Sequence, residues 1–454
     1  MTSTATLFEY VAYPYEVAGR DSFSEGRLHL TEETLDRLDT LNETKRFLDI
    51  GRHTLRPLNY VGVVKAGGIT LQILPKLYRG DAYERHRATI AGNLLTMLSC
   101  TERLSIREMD LAGLDVENTD LFEVFMALFA QNLSRLLNST QKKAYTREER
   151  ELRVVRERID VRAYTNPARL HIIPCTFHEY TVDNLLNRTL KYTCHLMART
   201  ARRFETVKTL RSIIALLDAV TLTPVTVAEV DTITFDRLNR RFEPFVRICR
   251  IFLASSTLTL QASDVETFSL LIPMEKLFEE FIAAVLIDDP AYFFGRGVNV
   301  SAQGRIGHLV QKRSGGRLFS LIPDLLAEGP GGALVIDTKY KLLDEAENAY
   351  DVSQADAYQM FAYVVKIRAK AGMLLYPDTE LKSSLDVSYE VKDEGKSRKI
   401  PLLIRSVRLS HALTTKEGWE AFRAELAGVI QEMVDQAADY SPEEMCEGKT
   451  PVFS

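Results

Sequence analysis

Two aspartates and a lysine carry the clearest chemistry in the chain. They lie in LIPDLLAEGPGGALVIDTKYK (321–341), where two short apolar runs flank Gly329-Pro330-Gly331-Gly332 and each run carries an acid, Asp324 or Asp337. A carboxylate among buried strand residues is costly unless it is compensated, so either these side chains face water or a cation sits between them. A hairpin folded about Pro330-Gly331 pairs residues whose numbers sum to 661, which sets Asp324 opposite Asp337. Opposed Cβ atoms lie about 5 Å apart, near enough for both carboxylates to grip one hard divalent cation. Lys339 follows Asp337 at the two-residue step that returns a strand to the same face. A metal held by two acids with an ammonium beside it can polarise a phosphate and acidify a water, which is equipment for hydrolysing a phosphodiester.

The flanking elements must position those groups. MEKLFEEFIAAVL (274–286) has a helical apolar stripe of Leu277, Phe278, Phe281, Ile282, Val285 and Leu286. Glu275 and Glu279 stack at one edge of this stripe by their four-residue spacing, and Glu280 points away from it. Downstream, QADAYQMFAYVVKIRAK is a second helix, with Gln359 and Tyr363 one turn apart. A decoy sits nearby, because Pro377-Asp378 is followed by Glu390-Val391-Lys392 at almost the same gap. Its intervening TELKSSLDVSY is polar and lacks a tight turn, so the 321–341 hairpin is preferred.

At 454 residues the chain exceeds what one core usually serves. The pattern divides it into a multidomain α+β protein. Residues 1–84 read as a small β-rich N-terminal domain, with a turn at Gly67-Gly68 in YVGVVKAGGITLQILPKL. Residues 85–265 read as mainly α-helical, and an arginine-rich stretch interleaved with acids (Arg147 to Arg162) reads as a solvated helix or ribbon face in preference to a phosphate-binding surface. Residues 266–454 alternate strands and helices as a C-terminal α/β domain, with strands expected around 318–327 and 333–340. A net charge of -5 argues against wholesale coating of nucleic acid, though not against a local basic groove. Cys100, Cys175, Cys194, Cys249 and Cys446 show no CxxC or Cys/His ligand spacing, which suggests a reduced, cytoplasmic protein. No apolar run reaches the length of a membrane span, and no G-x-x-x-x-G-K-[ST] loop appears, so nucleotide hydrolysis is expected on another chain.

Pro-Asp, a gap, then Asp-Thr-Lys resembles the PD-(D/E)xK nuclease signature, and Gln359/Tyr363 resemble the auxiliary Q-x-x-x-Y of RecB-like nucleases. The wider chain resembles the McrC family, the nuclease subunits of modification-dependent McrBC restriction systems. The segments that carry this likeness are YVGVVKAGGITLQILPKL, NLLTMLS at 93–99, FHEYTVDNLLNRTLKYT at 177–193, IPMEKLFEEFI, IPDLL and VIDTKYK, in that order. The resemblance implies a restriction-endonuclease-like C-terminal domain with Asp324, Asp337 and Lys339 as its catalytic core. It implies Glu279, ahead of Glu275, as an added metal or water ligand, and Mg²⁺ as cofactor with Mn²⁺ as a substitute. It also implies a hexameric AAA+ GTPase partner resembling McrB, docked through the N-terminal part and stimulated by this chain, and double-stranded DNA carrying 5-methylcytosine or another modification as substrate. The alternatives are a non-cleaving activator of such a GTPase and a stand-alone RecB-like repair nuclease.

Overall fold

The computed structural model describes residues 3–77, 85–101, 121–139, 143–161, 171–257, 268–311, 317–340, 353–378, 386–393 and 398–439. The chain is a mixed α/β protein of two compact units, one of Met1–Leu74 with Glu102–Leu271 and the other of Pro75–Thr101 with Ile272–Ser454. These units cut across the boundaries expected at 84/85 and 265/266. The β-rich start shares a unit with the middle region, while residues 75–101 group with the C-terminal half.

In the first unit the chain runs through β1 (Ser3–Phe8), β2 (Tyr13–Val17), β3 (Ser22–Ser24), β4 (Arg27–Leu30), α1 (Glu32–Thr44), β5 (Leu48–Ile50), β6 (Thr54–Pro57), β7 (Tyr60–Ala66) and β8 (Ile69–Leu74). Helix α1 interrupts what reads in sequence as strand, and Thr31 caps it by accepting the Thr34 N–H. The Gly67-Gly68 turn forms as expected, with Ala66 paired to Ile69 and Gly67 at φ +57°. Asp21 fastens this turn: its carboxylate accepts the Thr31 N–H, the Thr34 hydroxyl and the Gly68 N–H, each at 2.8 Å. Burial raises its pKa, but those bonds outweigh burial and hold it below the usual value.

After α2 (Arg87–Cys100), which belongs to the second unit, come α3 (Leu121–Ser139), β9 (Ala144–Leu152), β10 (Arg158–Ile159), β11 (Ile173–Thr181), α4 (Leu185–Thr200), α5 (Phe204–Leu216), α6 (Val227–Val230), α7 (Glu243–Thr257) and β12 (Phe268–Pro273). The arginine-rich stretch is a ribbon, since β9 and β10 each pair antiparallel with β11.

The second unit adds α8 (Met274–Asp288), α9 (Pro290–Phe294), β13 (Asn299–Ala302), β14 (Gly307–Gln311), β15 (Arg317–Leu321), β16 (Leu325–Gly329), β17 (Gly332–Thr338), α10 (Gln354–Ile367), β18 (Ala371–Asp378), β19 (Asp386–Asp393), β20 (Arg398–Arg408) and α11 (Lys416–Asp439). Its six-stranded sheet has the order β13-β16-β17-β18-β20-β19, with β17, β18 and β20 parallel. The apolar stripe of α8 is buried as its spacing requires, and Phe281 stacks on Phe422 at 5.3 Å between ring centroids. Helix α2 is tied in by buried Asn93. Its amide donates to the carbonyls of Leu409 and His411 at 2.7 Å, and its carbonyl accepts the Leu413 N–H at 2.9 Å.

Candidate active site

The expected hairpin forms in the expected register. Leu325 faces Ile336 and Gly329 faces Gly332 across a turn at Pro330-Gly331, so every pair sums to 661. One detail differs. The strand expected around 318–327 is two strands: β15 pairs with β14 in a separate sheet, and β16 begins only at Leu325. Asp324 therefore stands one step beyond the ladder, free of strand pairing, where its carboxylate accepts both the N–H and the hydroxyl of Thr338 at 2.8 Å. Val335 packs with Met360, Tyr363 and Val364 of α10, and Asp337 and Lys339 follow at two-residue steps on that face.

Asp337 is 1% exposed, and its Oδ2 lies 2.6 Å from Lys339 Nζ. That contact is a short charge-assisted pair, while Oδ1 has no hydrogen-bond partner among the described residues. Burial pushes its pKa above the usual carboxylate value despite the lysine. Asp324 is pushed up to about 7 by burial, then by the charges of Asp337 and Glu279, against the pull of the Thr338 bonds. The two carboxyls titrate as a pair. For Lys339 burial opposes the charge, but Asp337, Asp356 and Asp324 outweigh it and raise its pKa. The ammonium stays charged.

Lys339 Nζ also reaches Asp356 Oδ1 at 3.6 Å and donates to Gln359 Oε1 at 3.0 Å. Gln359 donates to the Tyr363 hydroxyl at 2.7 Å, and that hydroxyl donates to the carbonyl of Ile322 at 2.9 Å. The Q-x-x-x-Y pair thus links the lysine to the segment that enters Asp324. Glu279 is brought near, but its oxygens are taken by Lys276 at 2.7 Å and Gln303 at 2.6 Å. Gln303 has φ +50° and donates its backbone N–H to the Asp324 carbonyl at 2.9 Å, so one strained residue touches both acids' positions. Glu275 is exposed, while Glu280, expected to point away to solvent, is half-buried. Asp356, Lys276 and Gln303 went unnoticed in the sequence. Asp356 is three residues before Gln359, the one available signal; Lys276 and Gln303 carry none.

Other singled-out residues lie elsewhere. In the first unit Asp183 accepts from Arg188 at 2.7 Å and from the Thr221 hydroxyl at 2.6 Å, the first contact holding its pKa well below the usual range. Buried Lys191 donates to the carbonyls of Leu217 at 2.9 Å and Val220 at 2.7 Å. The Asp183-Asn187-Arg188-Lys191 stretch therefore clamps the loop after α5 to the start of α4, a structural task. In the decoy, Asp378 pairs with Arg408 and Glu390 with Pro401 on β20, seven residues or about 20 Å apart along that strand. Glu390 is exposed and pairs with Lys399 at 3.0 Å.

The fit to a metal can be judged from these donors. Among the described residues no three or more His, Cys, Asp or Glu side chains form a ready-made cage. Asp337 nevertheless offers one buried oxygen, Oδ1, with no hydrogen-bond partner among the described residues, beside a second carboxyl whose pKa its charge raises. This suits a hard cation that completes its shell with water and phosphate oxygens.

The family model of the "McrBC 5-methylcytosine restriction system component" matches residues 55–377, more than two thirds of the chain. The chain belongs to that family. It is a subunit of a McrBC-type restriction system. Its fold is shared with a chain of the refined half-complex from a tetradecameric assembly of Thermococcus gammatolerans McrB AAA+ hexamers with bound McrC. The TM-score is 0.62 at 22% identity, covering 94% of this chain and 100% of that one. A chain of the cryo-EM structure of the Thermococcus gammatolerans McrBC complex matches at 24% identity and a TM-score of 0.46, over 63% of this chain and 88% of that one. No curated protein matches. No helix among the described residues is long and apolar enough to cross a membrane.

Proposed function

We propose that this chain is the Mg²⁺-dependent endonuclease subunit of a modification-dependent restriction complex and hydrolyses phosphodiester bonds in double-stranded DNA. The observation that carries the reading is the Asp324/Asp337 pair: a half-buried acid whose proton is held by burial and by the charge of a second, buried acid, which in turn lies 2.6 Å from an ammonium. Carboxyls pushed up by burial and by a neighbouring acid are concentrated at functional sites. The pair would hold the divalent cation, with Glu279 at the edge as a candidate third ligand once Lys276 or Gln303 yields. A cation bound there would polarise the scissile phosphate and lower the pKa of a water. Lys339, kept charged by its carboxylates and oriented by Gln359, holds the water or balances charge gathering on the phosphate. Tyr363 remains a protonated donor, since burial, together with the Asp337 and Asp324 charges, raises its pKa. The C-terminal unit, in this reading, is the PD-(D/E)xK domain.

McrB AAA+ hexamers with bound McrC, as described for the Thermococcus gammatolerans assembly, support a hexameric AAA+ partner, which in this reading is the GTPase motor. The N-terminal part, within residues 1–84, is the docking surface for that motor. The test is incubation of the purified chain with a 5-methylcytosine duplex, Mg²⁺ and GTP, with and without the partner, following both DNA products and GTP turnover. Cleavage that requires the partner, accompanied by faster GTP turnover, is the expected result. Faster turnover without cleavage identifies a non-cleaving activator, and cleavage indifferent to the partner identifies a stand-alone nuclease.

A further inference from the structure

Between β13 and β16 the chain leaves the six-stranded sheet and makes a two-stranded ribbon of its own, β14–β15. The ribbon ends at Leu321, three residues ahead of Asp324. Its foot is fixed: the Ile306 N–H donates to the Leu321 carbonyl at 3.0 Å, both side chains pack in the core, and Tyr363 holds the carbonyl of Ile322. Beyond the foot, Leu309, Val310, Leu318 and Phe319 are exposed. The ladder pairs His308 with Ser320 and Val310 with Leu318, but skips Leu309 and Phe319, where Phe319 adopts φ +57°. That conformation is strained for an aromatic residue. It holds a phenyl ring 69% exposed. A ribbon that only had to close would place glycine or asparagine there.

Charge indicates what the ring meets. From Gln303 to Pro323 the sequence has Arg305, Lys312, Arg313 and Arg317 and no aspartate or glutamate, in a chain whose net charge is -5. Arg305 is exposed at the foot. Exposed Lys366 of α10 lies along Gly307, so close that a Cβ there would stand 3.0 Å from its Cε. A second copy apposed through this face would bring like charges together, whereas a polyanion would release counterions from them. Apolar side chains flanked by cations are the usual means of pressing on bases while holding phosphates.

We propose that the β14–β15 ribbon is a DNA-gripping arm, with Arg305 and Lys366 on the phosphates and Phe319 against the bases, feeding the strand to Asp324 and Asp337. The choice of DNA rests on the nuclease reading of the neighbouring site, and the test keeps the two apart. The full chain carrying Phe319→p-benzoylphenylalanine is irradiated in EDTA with a labelled duplex, alone and with the GTPase partner. A crosslink to DNA supports the arm. Crosslinks only to a second copy or to the partner, or none, overturn it. Phe319→Gly supplies a second readout: it relieves the backbone, so the variant should melt at or above the wild-type temperature while binding the duplex about tenfold more weakly. Wild-type affinity in that variant overturns the proposal. Arg305→Ser should lower the salt dependence of log K by about 1. DNA crosslinking without Mg²⁺-dependent cleavage by the wild-type complex would reject the nuclease and keep the arm, and cleavage without crosslinking would do the reverse.

Discussion

Replacing Asp324 with asparagine should stabilise the metal-free protein at alkaline pH while ending cleavage. The carboxyl is pushed from 3.8 to about 7 by burial, Asp337 and Glu279. The folded chain therefore keeps a proton that the unfolded chain loses near pH 4. Stability falls as pH rises between those values, and the whole penalty is present above about pH 7. A separation of about 3 on the pH scale, at about 1.4 kcal/mol each, sets a ceiling of about 4 kcal/mol. Because Asp337 shares the titration and the site is not wholly dry, about half of that is expected to survive. Asparagine keeps shape and an oxygen for the Thr338 N–H and hydroxyl, so little is lost in exchange. In EDTA, denaturant melts at pH 5 and pH 8 should show the variant gaining on wild type by about 1–2 kcal/mol across that range. Added Mg²⁺ should then stabilise wild type and leave the variant unmoved. A difference that is the same at both pH values, or a variant less stable than wild type at pH 8, would refute the strained acid pair.

Lys339→Ala should lower the cleavage rate by about 10²-fold or more while Mg²⁺ binding by calorimetry is no weaker than wild type, since an ammonium ligates no cation and its loss frees Asp337 Oδ2. Equal loss of binding and rate would contradict that division. Glu390→Gln should cut DNA at a near-wild-type rate, because Glu390 is exposed on β19 and bonded to Lys399; a dead variant would move the active site. Gly67→Ala should destabilise the first unit by about 2 kcal/mol or more in a denaturant melt, because φ is +57° and the added carbon runs into the Thr34 hydroxyl.

The parts legible in sequence are those governed by short periods. The register of the 325–336 hairpin followed from a two-residue turn, the α8 stripe from helical spacing, and the Gly67-Gly68 turn from glycine between alternating runs. What escaped depends on contacts far apart in the chain. Nothing local says that Asn93 will bond the carbonyls of Leu409 and His411, contacts that group α2 with the C-terminal half. A fragment ending near residue 265 would leave that helix without its core. Lys276 and Gln303 belong to the site because α8 and the residue after β13 meet beside Asp324. The break that separates β15 from β16 falls at Pro323-Asp324, where proline is the local signal that the expected continuous strand passed over. It decides that Asp324 is available to a ligand.

The central claim is that Asp337 serves chemistry rather than folding. Wild type and Asp337→Asn, each combined with the GTPase partner, GTP, Mg²⁺ and a 5-methylcytosine duplex, should both accelerate GTP turnover, and only wild type should break the DNA. An Asp337→Asn complex that cuts at the wild-type rate would contradict the account.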